Sequence, residues 1–120
     1  MDFLEMERML GMTDDAAMRL EMVMDFGARM PAPPVGAVCT EITGCASRVE
    51  ICRDGVHFYG RADSALVRGI VAILVAMVDG KSPDEIRQMG LRDRFAKLNL
   101  MLGAGRLTGL NSMIRFLENL

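Results

Sequence analysis

Apolar and polar positions follow two different periods along this chain, and the changes of period divide it. Over the first thirty residues the pattern is helical. Thr13-Asp14-Asp15 reads as an N-cap with acidic first-turn residues. Behind it, Ala16, Leu20, Val23 and Gly27 share one stripe, flanked by Met24 and Phe26, with Asp14, Glu21 and Asp25 opposite. Pro31-Ala32-Pro33-Pro34 stops the helix and extends the chain. From Val35 to Tyr59 the period falls to two: Val38, Thr40 and Ile42 alternate with Cys39 and Glu41. After Gly44, Val49 and Ile51 share one parity, and Glu50 and Cys52 the other. Asp54-Gly55 reads as a two-residue hairpin turn, which would place Ile51 opposite Phe58 and Cys52 opposite His57. The expectation is a small antiparallel sheet of about three strands.

The helical period then returns. Asp63-Ser64 opens a helix that runs to about Val78 and stops at Asp79-Gly80. It is apolar almost all round, which predicts a central buried helix. Leu66, Ile70, Ile73 and Met77 form a bulky stripe; Ala65, Gly69, Ala72 and Ala76 form a small one that lets another element approach closely. Arg68, its one charge, is expected at the solvent edge. Ser82-Pro83-Asp84-Glu85 combines a capping box with Pro at the first helical position and starts a short helix that ends at Gly90. Another short helix spans roughly Arg92 to Leu98. The last begins near Ala104, with Leu107, Leu110, Met113, Ile114 and Leu117 on its apolar face. Arg106 falls within that apolar sector, in the first turn. An inward guanidinium needs a partner, and a helix N-terminus disfavours a cation, so two adverse terms on one residue mark a candidate site.

Composition narrows the function classes. At 120 residues, 51% apolar and 25% charged, the chain is expected to fold as one domain, 1–120, with a core that needs no staples. A net charge of −2 and the absence of Trp argue against nucleic-acid binding, which draws on basic surface and stacking platforms. The longest apolar run, Ile70 to Val78, is far short of the ~20 residues of a membrane span. The acidic N-terminus does not read as a secretory signal, so the expected location is cytoplasmic. Eight of the twelve Met residues lie in the first thirty positions. They read either as flexible core filler or as an adaptable partner-binding groove.

Three cysteines fit a reducing compartment. Cys45 is the candidate for chemistry. It lies between two strands, after Gly44 and before Ala46-Ser47, so small neighbours leave it reachable on a loop. Cys39 and Cys52 sit on strands and read as packing. A rival reading groups Cys39, Cys45, Cys52 and His57 as four soft ligands for zinc or an iron–sulfur cluster, although no CxxC pair is present. No GxSxG, P-loop, GxGxxG or HExxH motif occurs.

Three blocks together carry a family likeness: Gly44-Cys45-Ala46-Ser47-Arg48-Val49, the run Gly60 to Gly69, and Arg106-Leu107-Thr108-Gly109-Leu110 followed by Met113-Ile114. In their order and spacing the chain resembles the SufE-type (SufE/CsdE) sulfur-acceptor proteins of iron–sulfur cluster assembly, over nearly its whole length. The resemblance implies an α+β fold, a small antiparallel sheet packed on helices, similar to the IscU-type scaffolds. It implies that Cys45 receives sulfane sulfur as a persulfide from a PLP-dependent cysteine desulfurase and relays it to an iron–sulfur cluster scaffold. The protein would then be an acceptor and activator rather than a free-standing enzyme. It would hold no metal or organic cofactor of its own and act as a monomer or weak homodimer. Asp63 and Arg106 match family residues near the cysteine loop and the desulfurase contact surface. Arg106 is expected either to stabilise the Cys45 thiolate or to brace the fold by pairing with a carboxylate such as Asp63. Asp63 is expected to be a near-site residue or a helix cap. Three places depart from the family pattern: Glu50 stands where Trp is frequent, Arg61 where Asp is frequent, and Gly103-Ala104-Gly105 where a Ser/Thr-Pro-Ser cap is usual.

Overall fold

In the computed structural model, which describes residues 1–120, the N-terminal helical stretch is two helices, α1 (Phe3–Leu10) and α2 (Ala16–Ala28). Asp15 separates them: its carboxylate accepts from the Met18 amide at 2.9 Å and caps α2. The proline segment leads to β1 (Val38–Glu41), followed by β2 (Val49–Asp54) and β3 (His57–Ala62). They form an antiparallel sheet in the order β1-β2-β3. Four helices complete the α+β chain: α3 (Ala65–Val78), α4 (Pro83–Gln88), α5 (Leu91–Ala96) and α6 (Ala104–Glu118). None is long and apolar enough to cross a membrane.

The hairpin loop is Gly55-Val56, not Asp54-Gly55. Asp54 pairs with His57, so Cys52 lies opposite Tyr59 and Ile51 opposite Gly60. The expected pairing of Cys52 with His57 is therefore wrong, because the turn sits one residue further along. Gly55 takes φ +64° in the first loop position, a left-handed conformation that Asp54 would have had to adopt in the expected turn. Asp79, just past α3, fixes the same register: its Oδ1 accepts from the Phe58 amide at 3.0 Å and lies 3.3 Å from His57 Nδ1. The shift in register leaves the faces as expected. Val49, Ile51, Phe58 and Ala62 are all buried and face the core.

Helix α3 packs against both β3 and α2. Its small stripe does what its composition predicts. A Cβ added at Gly69 would stand 2.0 Å from the Val23 carbonyl oxygen, and one at Gly27 would stand 2.6 Å from the Gly69 nitrogen. Backbone meets backbone there. The bulky side chains Ile70, Ile73, Leu74 and Met77 are at most 2% exposed and join one core of 26 residues. Each contributes about 1.5–3 kcal/mol by leaving water. Arg68 is not at a free solvent edge: it is half-buried, and its Nε and Nη2 donate to the Ala62 carbonyl at 3.2 and 3.1 Å. Of the N-terminal methionines, Met6, Met9, Met22 and Met30 fill or flank the core, whereas Met12, Met18 and Met24 are exposed.

The ends of the helices are tied together by Arg19. Its guanidinium donates to the Leu10 carbonyl at the end of α1 and to the Leu98 and Asn99 carbonyls past α5. That clamp sets the path of the segment leading into α6. The capping box is present as expected, with Ser82 Oγ accepting from the Glu85 amide and Glu85 Oε1 accepting from the Ser82 amide.

Cys39 and Cys52 overturn their packing reading. They are register partners on β1 and β2 and are joined by a disulfide. Ile42 donates to the Val49 carbonyl, so position 39/52 falls on a non-hydrogen-bonded pair, where opposed residues approach most closely. The Cα atoms are 3.9 Å apart. The bond closes a ring over a sequence separation of 13 residues, which stabilises the folded chain by about 3 kcal/mol in the chain-entropy account.

Candidate functional site

The connection between β1 and β2 carries Cys45 and lies against α6. Ile42 is buried and anchors its start. Gly44 has φ +90°, and a Cβ there would stand 2.5 Å from Ser112 Oγ. The chain can therefore turn sharply while touching the helix. The Cys45 sulfur donates to the Gly109 carbonyl at 3.7 Å, and a Cβ on Gly109 would stand 3.3 Å from it. Cys45 faces a cavity of about 50 Å³ walled by Val67, Ile70, Met113, the Ala46-Ser47 backbone turn and the start of α6. Burial pushes the Cys45 thiol above the ordinary thiol range, because a thiolate is poorly solvated there. It is the one free cysteine.

Of the other expected site residues, Arg106 lines the same cavity and is the only charged residue to do so. Its inward aim is not observed. Arg106 is exposed, and its Nη1 donates to the Leu102 carbonyl at 3.1 Å. The phase of the helix is as expected, but the core stops at Gly109 and the first turn of α6 overhangs it, as the 46% exposure of Leu107 also shows. No ion pair joins Arg106 to Asp63, so the expected carboxylate brace is absent. Asp63 does not cap α3 either. Its amide donates to the Arg48 carbonyl at 3.3 Å, which extends the β2–β3 pairing by one step and moves the cap position to Ser64. The exposed Asp63 carboxylate instead lines a separate groove of about 520 Å³ with Arg48, Glu50, Arg61 and Arg68.

The four-ligand reading fails on placement. The Cys39 and Cys52 sulfurs are bonded to each other, Cys45 faces α6, and His57 lies opposite Asp54 beside Asp79. Gly109 and Ser112, which meet the cysteine loop across α6, were not singled out as site residues by the sequence reading. The small residues that interrupt the α6 pattern at these positions were the available signal. The disulfide was also missed, since pairing 39 with 52 requires the register of a strand pair whose loop is long.

A family model described as "SufE: Fe-S metabolism associated domain" matches residues 5–120. The chain belongs to the SufE family. An uncharacterized SufE-like protein of Rhizobium meliloti (strain 1021) is 33% identical over 113 residues, covering 84% of this chain and 81% of that protein. The sulfur acceptor protein CsdE of Escherichia coli (strain K12) is 34% identical over 97 residues, covering 73% of this chain and 66% of CsdE. The solution structure of a hypothetical protein from Thermus thermophilus superposes with a TM-score of 0.67 at 18% identity. It covers 97% of this chain and 89% of that one, and shows the same fold. Two of the departures from the SufE pattern are explained together. Glu50 and Arg61 are directly opposed in the β2–β3 register, with Arg61 Nη1 3.9 Å and Arg48 Nη2 3.3 Å from the Glu50 carboxylate.

Proposed function

We propose that this SufE-family protein is a sulfur acceptor in which Cys45 takes sulfane sulfur from the persulfide of a PLP-dependent cysteine desulfurase and relays it to an iron–sulfur cluster scaffold. The observation that carries the reading is the placement of the one free thiol on a loop, against a small and mostly apolar cavity. About 50 Å³ exceeds the ~10–15 Å³ that a cavity needs on this measure to admit one water molecule, so the cavity has room for one added sulfur atom. The printed name of the Escherichia coli relative, a sulfur acceptor, supports the same assignment.

The step is thiol–persulfide exchange. The Cys45 thiolate attacks the outer sulfur of the donor persulfide, the donor S–S bond breaks, and the desulfurase cysteine leaves as a thiolate. Cys45 must first lose its proton, which burial opposes. In this reading, docking turns the loop away from α6 and brings the sulfur to water and to Arg106. Arg106 then exchanges the Leu102 carbonyl for the thiolate or persulfide anion. The exposed, unpaired carboxylate of Asp63 is offered to the partner surface beside the loop.

Intact-mass spectrometry after incubation with cysteine and a desulfurase tests the assignment. A gain of about 32 Da per sulfur on the wild type, absent in Cys45→Ser and reversed by a thiol reductant, is the expected result. No gain with several desulfurases rejects it. The pH profile of Cys45 reactivity in the desulfurase complex tests Arg106: Arg106→Ala should move the midpoint upward, and an unchanged midpoint removes the charge role.

A further inference from the structure

Cys39 and Cys52 lie outside the Cys45 cavity, and the proposed sulfur transfer makes no use of them. We infer that they form a second, redox-active sulfur site, a dithiol–disulfide pair whose state sets how firmly the Cys45 loop is held. Three observations converge on it. The first is position. The disulfide closes the ring that contains the whole loop, with Cys45 six residues after Cys39 and seven before Cys52.

The second is how little else holds β1. It is an edge strand paired only to β2. Val38 is 72% exposed, and Thr40 and Glu41 are exposed as well, so beyond the ladder only Ile42 ties this segment into the core. A groove of about 550 Å³ opens between Thr40–Thr43 and the second half of α6, beyond the Gly44–Ser112 contact, and gives the strand room to move.

The third is the chemical surroundings. Cys39 is partly exposed and Cys52 is fully buried, so an attacking thiolate reaches the Cys39 sulfur. The Glu50 carboxylate lies within 4.8 Å of both sulfurs and brings Arg48 and Arg61 with it. Arg48 is shared with Glu41 at 3.8 Å, so two guanidiniums meet two carboxylates and the cluster beside the sulfurs is close to neutral.

The exchange partner is a small thiol. Its thiolate attacks Cys39 Sγ, the Cys39–Cys52 bond breaks, and Cys52 leaves as a thiolate and takes up a proton. A second small thiolate attacks the sulfur of the first, the mixed-disulfide bond breaks, and Cys39 leaves as a thiolate and takes up a proton. Two small thiols become one disulfide while the protein disulfide becomes two thiols. With the ring open, β1 frays, and the contacts of Gly44 with Ser112 and of Cys45 with Gly109 loosen. The pair and its effect on Cys45 reactivity stand without the sulfur-acceptor reading; only the consequence for sulfur transfer rests on it.

The test uses the whole chain in two redox states, after glutathione disulfide and after dithiothreitol. Differential alkylation with peptide mapping reads each cysteine separately, and the rate of Cys45 alkylation by iodoacetamide is measured in each state. The expected result is a bonded Cys39–Cys52 pair after oxidation, an open pair after reduction, and Cys45 alkylated several-fold faster in the reduced protein. Amide exchange across residues 38–48 should speed up in parallel. The double variant Cys39→Ser/Cys52→Ser should show the fast rate in both states. Three free thiols after glutathione disulfide treatment would overturn the proposal. So would equal Cys45 rates in two states that mapping shows to be bonded and open; this comparison needs no variant to fold.

Discussion

Two glycine contacts in this molecule look alike in sequence and do opposite things. At Gly69, α3 touches α2 so closely that a methyl group would meet the Val23 carbonyl at 2.0 Å. The nearest atom there belongs to the backbone, within a core of 26 residues. At Gly109, α6 meets the Cys45 loop, and a methyl group would meet a sulfur first, at 3.3 Å. The neighbour there is the end of a side chain, on a turn whose outer residues Arg106 and Leu107 are exposed. The same omission of a side chain fixes the fold in one place and leaves room for a mobile atom in the other. What differs is whether the facing atoms can yield.

Substitution should separate the two contacts. Gly69→Val should have the largest effect: no rotamer avoids the Val23 carbonyl, and the protein should lose its cooperative urea transition by circular dichroism. Ile70→Ala comes next, because Ile70 belongs to the core and also walls the Cys45 cavity. It should cost about 3 kcal/mol in urea unfolding and also speed alkylation of Cys45. Gly109→Ala should cost less than about 1 kcal/mol, since the sulfur can move. It should nevertheless raise the alkylation rate, by displacing the thiol from its cavity. Equal stability losses in Gly69→Ala and Gly109→Ala would erase the distinction.

The smallest effect is a pH dependence. Burial raises the Cys45 pKa, so the folded protein holds that proton more tightly than the unfolded chain does. The associated stability is complete below the ordinary thiol pKa of about 8.5 and is lost as pH rises through the raised value. Thermal stability of the wild type should therefore fall off more steeply above about pH 8.5 than that of Cys45→Ala. Parallel profiles would mean that the thiol is solvated in the folded protein.

Most of the fold was legible because its signals are local. The period change at Pro31, the capping box at Ser82 and the small stripe at Gly69 each specify their own element. The hairpin was read one residue off because Asp54-Gly55 and Gly55-Val56 are both acceptable loops, and the choice rests on Asp79, twenty-one residues beyond Phe58. Cys45 was legible from its small neighbours. The surroundings of Arg106 were not, because a helical wheel gives direction but not where the core ends. The disulfide depends on a β1–β2 register that no local signal sets, so Cys39 and Cys52 could not be joined from the sequence.

The opposition of Glu50 and Arg61 bears on how parts of this protein can be exchanged with its relatives. A graft that restores an aromatic residue at position 50 alone would leave Arg61 without its carboxylate and Arg48 with Glu41 alone, and make the rim of the groove more positive. A graft of an acid at position 61 alone would set two acids face to face across the strands. Positions 50 and 61 are thus a single unit of inheritance, and chimeras between SufE-family members should move them together.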